Sequence, residues 1–143
     1  MSETVGEGQI PERAAKRRAW DEKLLRFSYL LWPRGLGLLW FVVVGSTALD
    51  YFSTIYALEF SPHDLFEANS LARAALDLGG YVGLAAWNVL KIGLYIGLAM
   101  AIRGVSAREN RPGLGRFAGI LLLFYYSLFS LAACVNNLII SLP

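Results

Sequence analysis

Three long apolar runs dominate the chain, from about Leu36 to Leu58, from about Tyr81 to Ile102 and from about Phe117 to Leu142. At ~1.5 Å of rise per residue, each is long enough as a helix to cross a hydrocarbon layer of about 30 Å. The pattern predicts an all-α integral membrane protein whose residues 36–142 form a three-transmembrane-helix bundle. Residues 11–33 follow a different rhythm. Trp20, Leu24, Phe27 and Leu31 recur at i, i+4, i+7 and i+11, the spacing of one stripe on a helix. Lys16 and Lys23 flank that stripe, and Arg13 and Arg17 lie along or beside it. Pro11 suits a first helical turn, and Pro33-Arg34-Gly35 ends the pattern. This segment is expected to be a basic amphipathic helix in the headgroup region, apolar stripe down, with Arg13, Lys16, Arg17 and Lys23 on lipid phosphates. Docking on a partner protein is the alternative. Residues 1–10 are polar and contain glycine, and are expected to be disordered.

Composition agrees with a membrane origin. Hydrophobic residues make up 56% and charged residues 17% of the 143 residues, with mean hydropathy +0.48. A water-soluble domain carries roughly 25% charged residues, and a chain this short cannot hide three apolar helices in a globular core. The opening MSETVGEGQIPERAAKRR is too charged for a cleaved secretory signal, so the first span is expected to act as its own insertion signal. No basic stripe interleaves with stacking aromatics, which argues against nucleic-acid binding.

The placement of basic residues predicts orientation. Arg13, Lys16, Arg17, Arg18, Lys23, Arg26 and Arg34 precede the first span, and Arg103, Arg108, Arg111 and Arg116 follow the second. The loop after the first span has Arg73 alone. The positive-inside rule then puts the N-terminus and the second loop in the cytoplasm and the C-terminus in the periplasm or outside, in an inner or plasma membrane. In the outer loop, Asn69 or Ser70 is placed to cap a short helix through Leu78 that Gly79-Gly80 would end.

Charged groups at membrane depth cost ~2.5–3.5 kcal/mol even on lenient scales, and they persist where they face a bundle, a partner or water. Asp50 lies about eight residues from the outer end of the first span, ~12 Å deep, and Lys91 about ten from the outer end of the second, ~15 Å deep. The matched levels predict an Asp50–Lys91 ion pair. Ser46, Asp50, Ser53 and Thr54 share one helix face, Asn88, Lys91 and Tyr95 another, and Tyr126, Ser130, Ala133 and Asn137 a third. Asp50, Thr54, Asn88, Lys91, Ser130 and Asn137 are therefore expected to form one intramembrane polar network, with Glu67 and Asn69 capping it from the outer loop. Either the charged pair only fixes how the helices meet, or it forms a site for an ion, proton or polar ligand.

Gly93 and Gly97 make a G-x-x-x-G that allows close helix packing, inside the bundle or between copies. His63 is the only histidine and Cys134 the only cysteine, so no axial haem ligand, disulfide or metal set is expected. Glu59 and Glu67 offer a cation two carboxylates, or are plain solvated charge. No nucleophile triad, Walker loop or dinucleotide fingerprint is present. The expectation is a protein without catalytic residues, metal or cofactor.

Asp50 to Thr54, the E-A-N-S-L run at Glu67 to Leu71, and Lys91 together resemble a family of small polytopic prokaryotic membrane proteins, a domain of unknown function. Its members carry an aspartate in the first helix, an E-x-N-P motif and a lysine in the next helix. The resemblance covers roughly Leu38 to Leu142 and departs at Ser70, where proline is usual. It implies that Asp50, Glu67, Asn69 and Lys91 act as one constellation, and it implies no reaction or substrate.

Small size, close-packing glycines and a basic surface helix suit a non-catalytic accessory or structural subunit of a larger membrane complex, in contact with lipid and with other subunits or further copies of itself. The alternative is an oligomeric small transporter or channel whose route is lined by Asp50 and Lys91.

Overall fold

The computed structural model describes residues 9–61 and 69–142. It is all-α among those residues, with α1 Gln9–Leu31, α2 Leu36–Phe60, α3 Ser70–Arg108 and α4 Pro112–Ile140. The last three are long and apolar enough to cross a membrane. The helix boundaries differ from expectation at several ends. Gln9 and Ile10 are already helical, since Pro11 in a first turn removes a donor that would have no partner anyway. α4 begins at Pro112 rather than Phe117, again on a proline in its opening turn. The remainder of the N-terminal stretch expected to be disordered lies outside the described residues, as do Glu67 and His63.

α3 is two helical stretches joined at Gly80, whose φ of 58° and ψ of −148° no side-chain-bearing residue adopts comfortably. Asn69 caps its start, accepting from Leu71 N at 3.0 Å and Ala72 N at 3.2 Å. The chain folds back so tightly at Gly80 that a Cβ on Gly83 would sit 2.0 Å from Ala75 O. At the other end, Arg111 N bonds to Ser106 O at 2.7 Å and Asn110 N to Ala107 O at 3.1 Å. With Asn110 at φ 56°, this is a Schellman turn, which passes the chain straight into Pro112 of α4.

α4 is the hub. It packs most extensively on α2, then on α3, then on α1, while α2 and α3 share only a short seam and α1 touches neither. Leu36, Leu39 and Val43 of α2, Ala99 of α3, and Ile120, Leu123 and Tyr126 of α4 form the buried core. All of these lie toward the α3–α4 turn, so the bundle is solid at that end. The close approach of α3 to α4 runs through Gly115 and Gly119, where a Cβ would lie 2.7 Å from Ser106 Cβ and 3.7 Å from Ala99 O respectively. Gly93 and Gly97 do not pack inside the bundle: nothing lies within 4 Å of a Cβ on either. The internal G-x-x-x-G is the pair on α4, because α4 is the helix that must approach three neighbours.

α1 docks on α4 by a face that mixes polar and apolar contacts, with the Phe27 ring centre 5.8 Å from that of Phe117. Asp21 is 7% and Ser28 0% exposed, whereas Trp20 is 65% and Phe27 47% exposed. The docked positions Asp21, Leu25, Ser28 and Trp32 are shifted by one residue from the apolar stripe, which leaves that stripe largely uncovered. Asp21 accepts from Gly113 N at 3.0 Å and Leu114 N at 2.8 Å, capping α4 from outside. Arg116 donates to Trp32 O at 2.7 Å and Arg34 O at 3.0 Å, and its guanidinium stacks 4.0 Å from the Tyr29 ring centre. Arg13, Lys16, Arg17 and Lys23 are all exposed along α1.

Candidate functional site

α3 and α4 run antiparallel away from the solid end. Their antiparallel register runs from Ser106 beside Gly115, through Ala99 near Gly119, to the Tyr95 and Tyr126 rings, whose centres are 4.2 Å apart. Beyond those rings the same register brings Lys91 level with Ser130 and Asn88 level with Ala133. In that half a cavity of about 420 Å³ lies between α2, α3 and α4.

The cavity is built from the three polar seams. α2 contributes Asp50 and Thr54, and α3 contributes Asn88, Lys91 and Tyr95, with Asn69 and Ala72 from its capped first stretch. From α4 come Tyr126, Ser130, Ala133 and Asn137, with Tyr125 and Phe129 at the edge. All six residues of the expected polar network therefore line one space. Asn69 joins them, while Glu67 lies outside the described residues.

Local chemistry explains how the seams hold. Ser46, Ser53 and Thr54 direct their hydroxyl hydrogens back along α2, to Val43 O at 3.0 Å, Asp50 O at 2.9 Å and Asp50 O at 2.8 Å. The oxygens of Ser53 and Thr54 are then left to accept, and Asn137 Nδ2 donates to them at 3.2 and 2.9 Å. Thr47 Oγ1 lies within hydrogen-bond distance of both Val43 O at 2.8 Å and Tyr126 Oη at 3.1 Å. These bonds join α2 to α4 as a parallel pair and set Asp50 near the level of Ser130, and hence of Lys91.

The expected Asp50–Lys91 ion pair does not form. Among the described residues the one ion pair joins Lys16 Nζ to Glu12 Oε1 at 2.6 Å, on the exposed side of α1. Asp50 takes part in other interactions, while Lys91 has no hydrogen-bond or ion-pair partner. The two charges share a cavity without closing on each other, because α2 and α3 meet only along a short seam. That seam is drawn together near the Gly80 bend instead, where Tyr51 donates to Tyr81 O at 3.1 Å and the Tyr81 hydroxyl bonds the Glu59 carboxylate. A second unmet group lies beside Lys91: Asn88 is 7% exposed, and its Oδ1 is buried with no donor. Lys91 and Asn88 both line the cavity, and the Lys91 ammonium is left in it without a partner.

Four features escaped sequence reasoning: the Asp21 cap, the Gly115–Gly119 contact, the position of Tyr125 and Phe129 at the cavity edge, and the separation of Asp50 from Lys91. Asp21 and Gly113-x-Gly115 carry the signal for the first two, an acidic residue and a glycine-rich opening turn, but the partner of each is remote in sequence. No family model, curated protein or solved structure matches this chain, so the site stands on its geometry.

Proposed function

We propose that this chain is a small multi-pass membrane protein that binds a polar or ionisable group inside the bilayer, in the cavity shared by Asp50 and Lys91, and performs no covalent chemistry there. The observation that carries this reading is Lys91. It sits eleven residues past the Gly80 bend, ~16 Å along the helix and near mid-membrane, without a partner and beside an unmet Asn88 Oδ1. An unpaired charge at that depth is costly and is retained where something else meets it. The N-terminus and the α3–α4 turn face the cytoplasm in this reading, by their arginines and lysines, and the membrane is an inner or plasma membrane. α1 lies along its surface, with the exposed Trp20 toward acyl chains and Arg13, Lys16, Arg17 and Lys23 toward phosphates.

A second reading is favoured by one observation. Gly93 and Gly97 face outward from α3 with nothing near them, a surface on which another transmembrane helix can approach closely. The chain then serves as an accessory subunit of a larger assembly, or pairs with its own copies, and three helices per copy make any solute route depend on such pairing.

Mild-detergent extraction followed by native mass analysis tests both. A small molecule that stays with the wild-type chain and leaves with Lys91→Met supports the binding site. Recovery with other subunits at fixed stoichiometry supports the assembly. A bare chain whose mass is the same in wild type and Lys91→Met sinks the binding reading.

A further inference from the structure

We infer that the cavity takes a single-chain amphiphile with a carboxyl or hydroxyl head, admitted sideways from the bilayer between α3 and α4; this rests on the binding role proposed above. The opening is identified by two lining residues that are also outer-surface residues. Tyr125 is 63% and Phe129 66% exposed, and both border the cavity. Phe129 stands seventeen residues into α4, ~26 Å along a helix that spans the membrane. A gap at that level faces acyl chains rather than water. The two helices are pinned together at Gly115 and Gly119 and by the Tyr95–Tyr126 ring contact, and the cavity lined by Lys91, Phe129 and Ser130 lies on the far side of those contacts.

The chemistry of the inner wall selects the head group. Lys91 needs an acceptor, preferably an anionic one. A hydroxyl or carboxyl oxygen supplies it, and an ionised carboxylate also meets the charge. A quaternary ammonium head offers no acceptor and adds a second cation beside the first. A volume of about 420 Å³ lies at the small end of ligand pockets, roughly 300–1,000 Å³, which suits a head with the start of one chain and not a diacyl lipid. The apolar edge at Tyr125 and Phe129 then continues the tail into the surrounding hydrocarbon.

The test uses the full chain in phosphatidylcholine nanodiscs with a trace of palmitic acid carrying a mid-chain diazirine. Photolabelling is expected to concentrate around Tyr125–Ala133, to be competed by unlabelled palmitic acid or hexadecanol, and to resist hexadecyltrimethylammonium. Lys91→Gln is expected to cut labelling about tenfold, the loss of one charge-assisted hydrogen bond. Asn88→Ala is expected to weaken it less. Phe129→Ala, at an exposed position, keeps the fold as judged by thermal unfolding while changing the label's yield. Label spread evenly over all outward faces, indifferent to Lys91 and Asn88, overturns the inference. If native mass analysis still shows a water-soluble solute held through Lys91, the amphiphile falls and the binding site stands. If neither probe nor solute is held, both fall.

Discussion

Asp21 and Gly113 meet twice, once by a bond and once by the absence of a side chain. The Asp21 carboxylate accepts from Gly113 N at 3.0 Å, and a Cβ on Gly113 would lie 2.0 Å from the backbone oxygen of the same aspartate. The carboxylate can reach the first turn of α4 only because no methyl group stands between the helices. Asp21→Ala is expected to weaken the docking of α1 by about 1–3 kcal/mol, the loss of bonds to a buried charged acceptor. Hydrogen exchange of α1 amides would report it, with α2 and α3 protection unchanged. Gly113→Ala is expected to match or exceed that effect, since the clash is with backbone and cannot be relieved by a rotamer change.

Lys91 gives a prediction of opposite sign. A structural ion pair would make its removal destabilising. With no partner for the ammonium, Lys91→Met removes a charge from membrane depth and is expected to raise stability by about 1–2 kcal/mol. Thermal unfolding in detergent without added ligand decides the matter: a lower melting temperature would restore the ion-pair interpretation.

The bend in α3 rests on two glycines for different reasons. Gly80 holds a backbone conformation that a Cβ disfavours, and Gly83 lies under Ala75 O. Gly83→Ala is expected to push the Ser70–Gly79 stretch away from the bundle. Asn69 and Ala72 line the cavity from that stretch, so a cysteine reporter at Ala72 should become more reactive to a water-soluble thiol reagent. Unchanged reactivity would mean that the fold-back is not what holds the stretch in place.

The two glycine pairs should separate cleanly. Gly115→Val meets Ser106 Cβ at a site where even a methyl group is too close, and a loss of about 1–3 kcal/mol is expected from overpacking. Gly93→Leu and Gly97→Leu meet open space and are expected to leave monomer stability within ±0.5 kcal/mol. Cross-linking yield in membranes, compared with unfolding in detergent, checks both halves. A fall in cross-linking for Gly93→Leu alone would mark α3 as the surface between chains.

Much of this site could be read from residue spacing. Asp50 and Thr54, Asn88 and Lys91, Ser130 and Asn137 each fall on one helical face, and a polar residue in lipid has few places to point except inward. The depth of Asp50 relative to Lys91 was also legible, because helix rise is constant. Contact between them was not. It depends on how far α2 stands from α3, which is set by Gly115, Gly119 and the Asn137 bonds to α2, on a third helix. Nor could the three apolar runs reveal which of them is central. The docking of α1 was hidden for a different reason: its most buried positions are Asp21 and Ser28, residue types that ordinarily mark a solvated surface, while Trp20 of its apolar stripe stays exposed.

The central position of α4 bears on how the protein is made. A ribosome delivers the helices in order, so α1, α2 and α3 emerge before the element that joins them. Until α4 is inserted, α1 has no helix to rest on and α2 holds α3 only by a short seam. Cotranslational folding, in which early segments settle while later ones are still being synthesised, therefore has little tertiary structure to build here. On that order α1, α2 and α3 stay loosely associated until α4 joins them, and most of the bundle's contacts form in one late step.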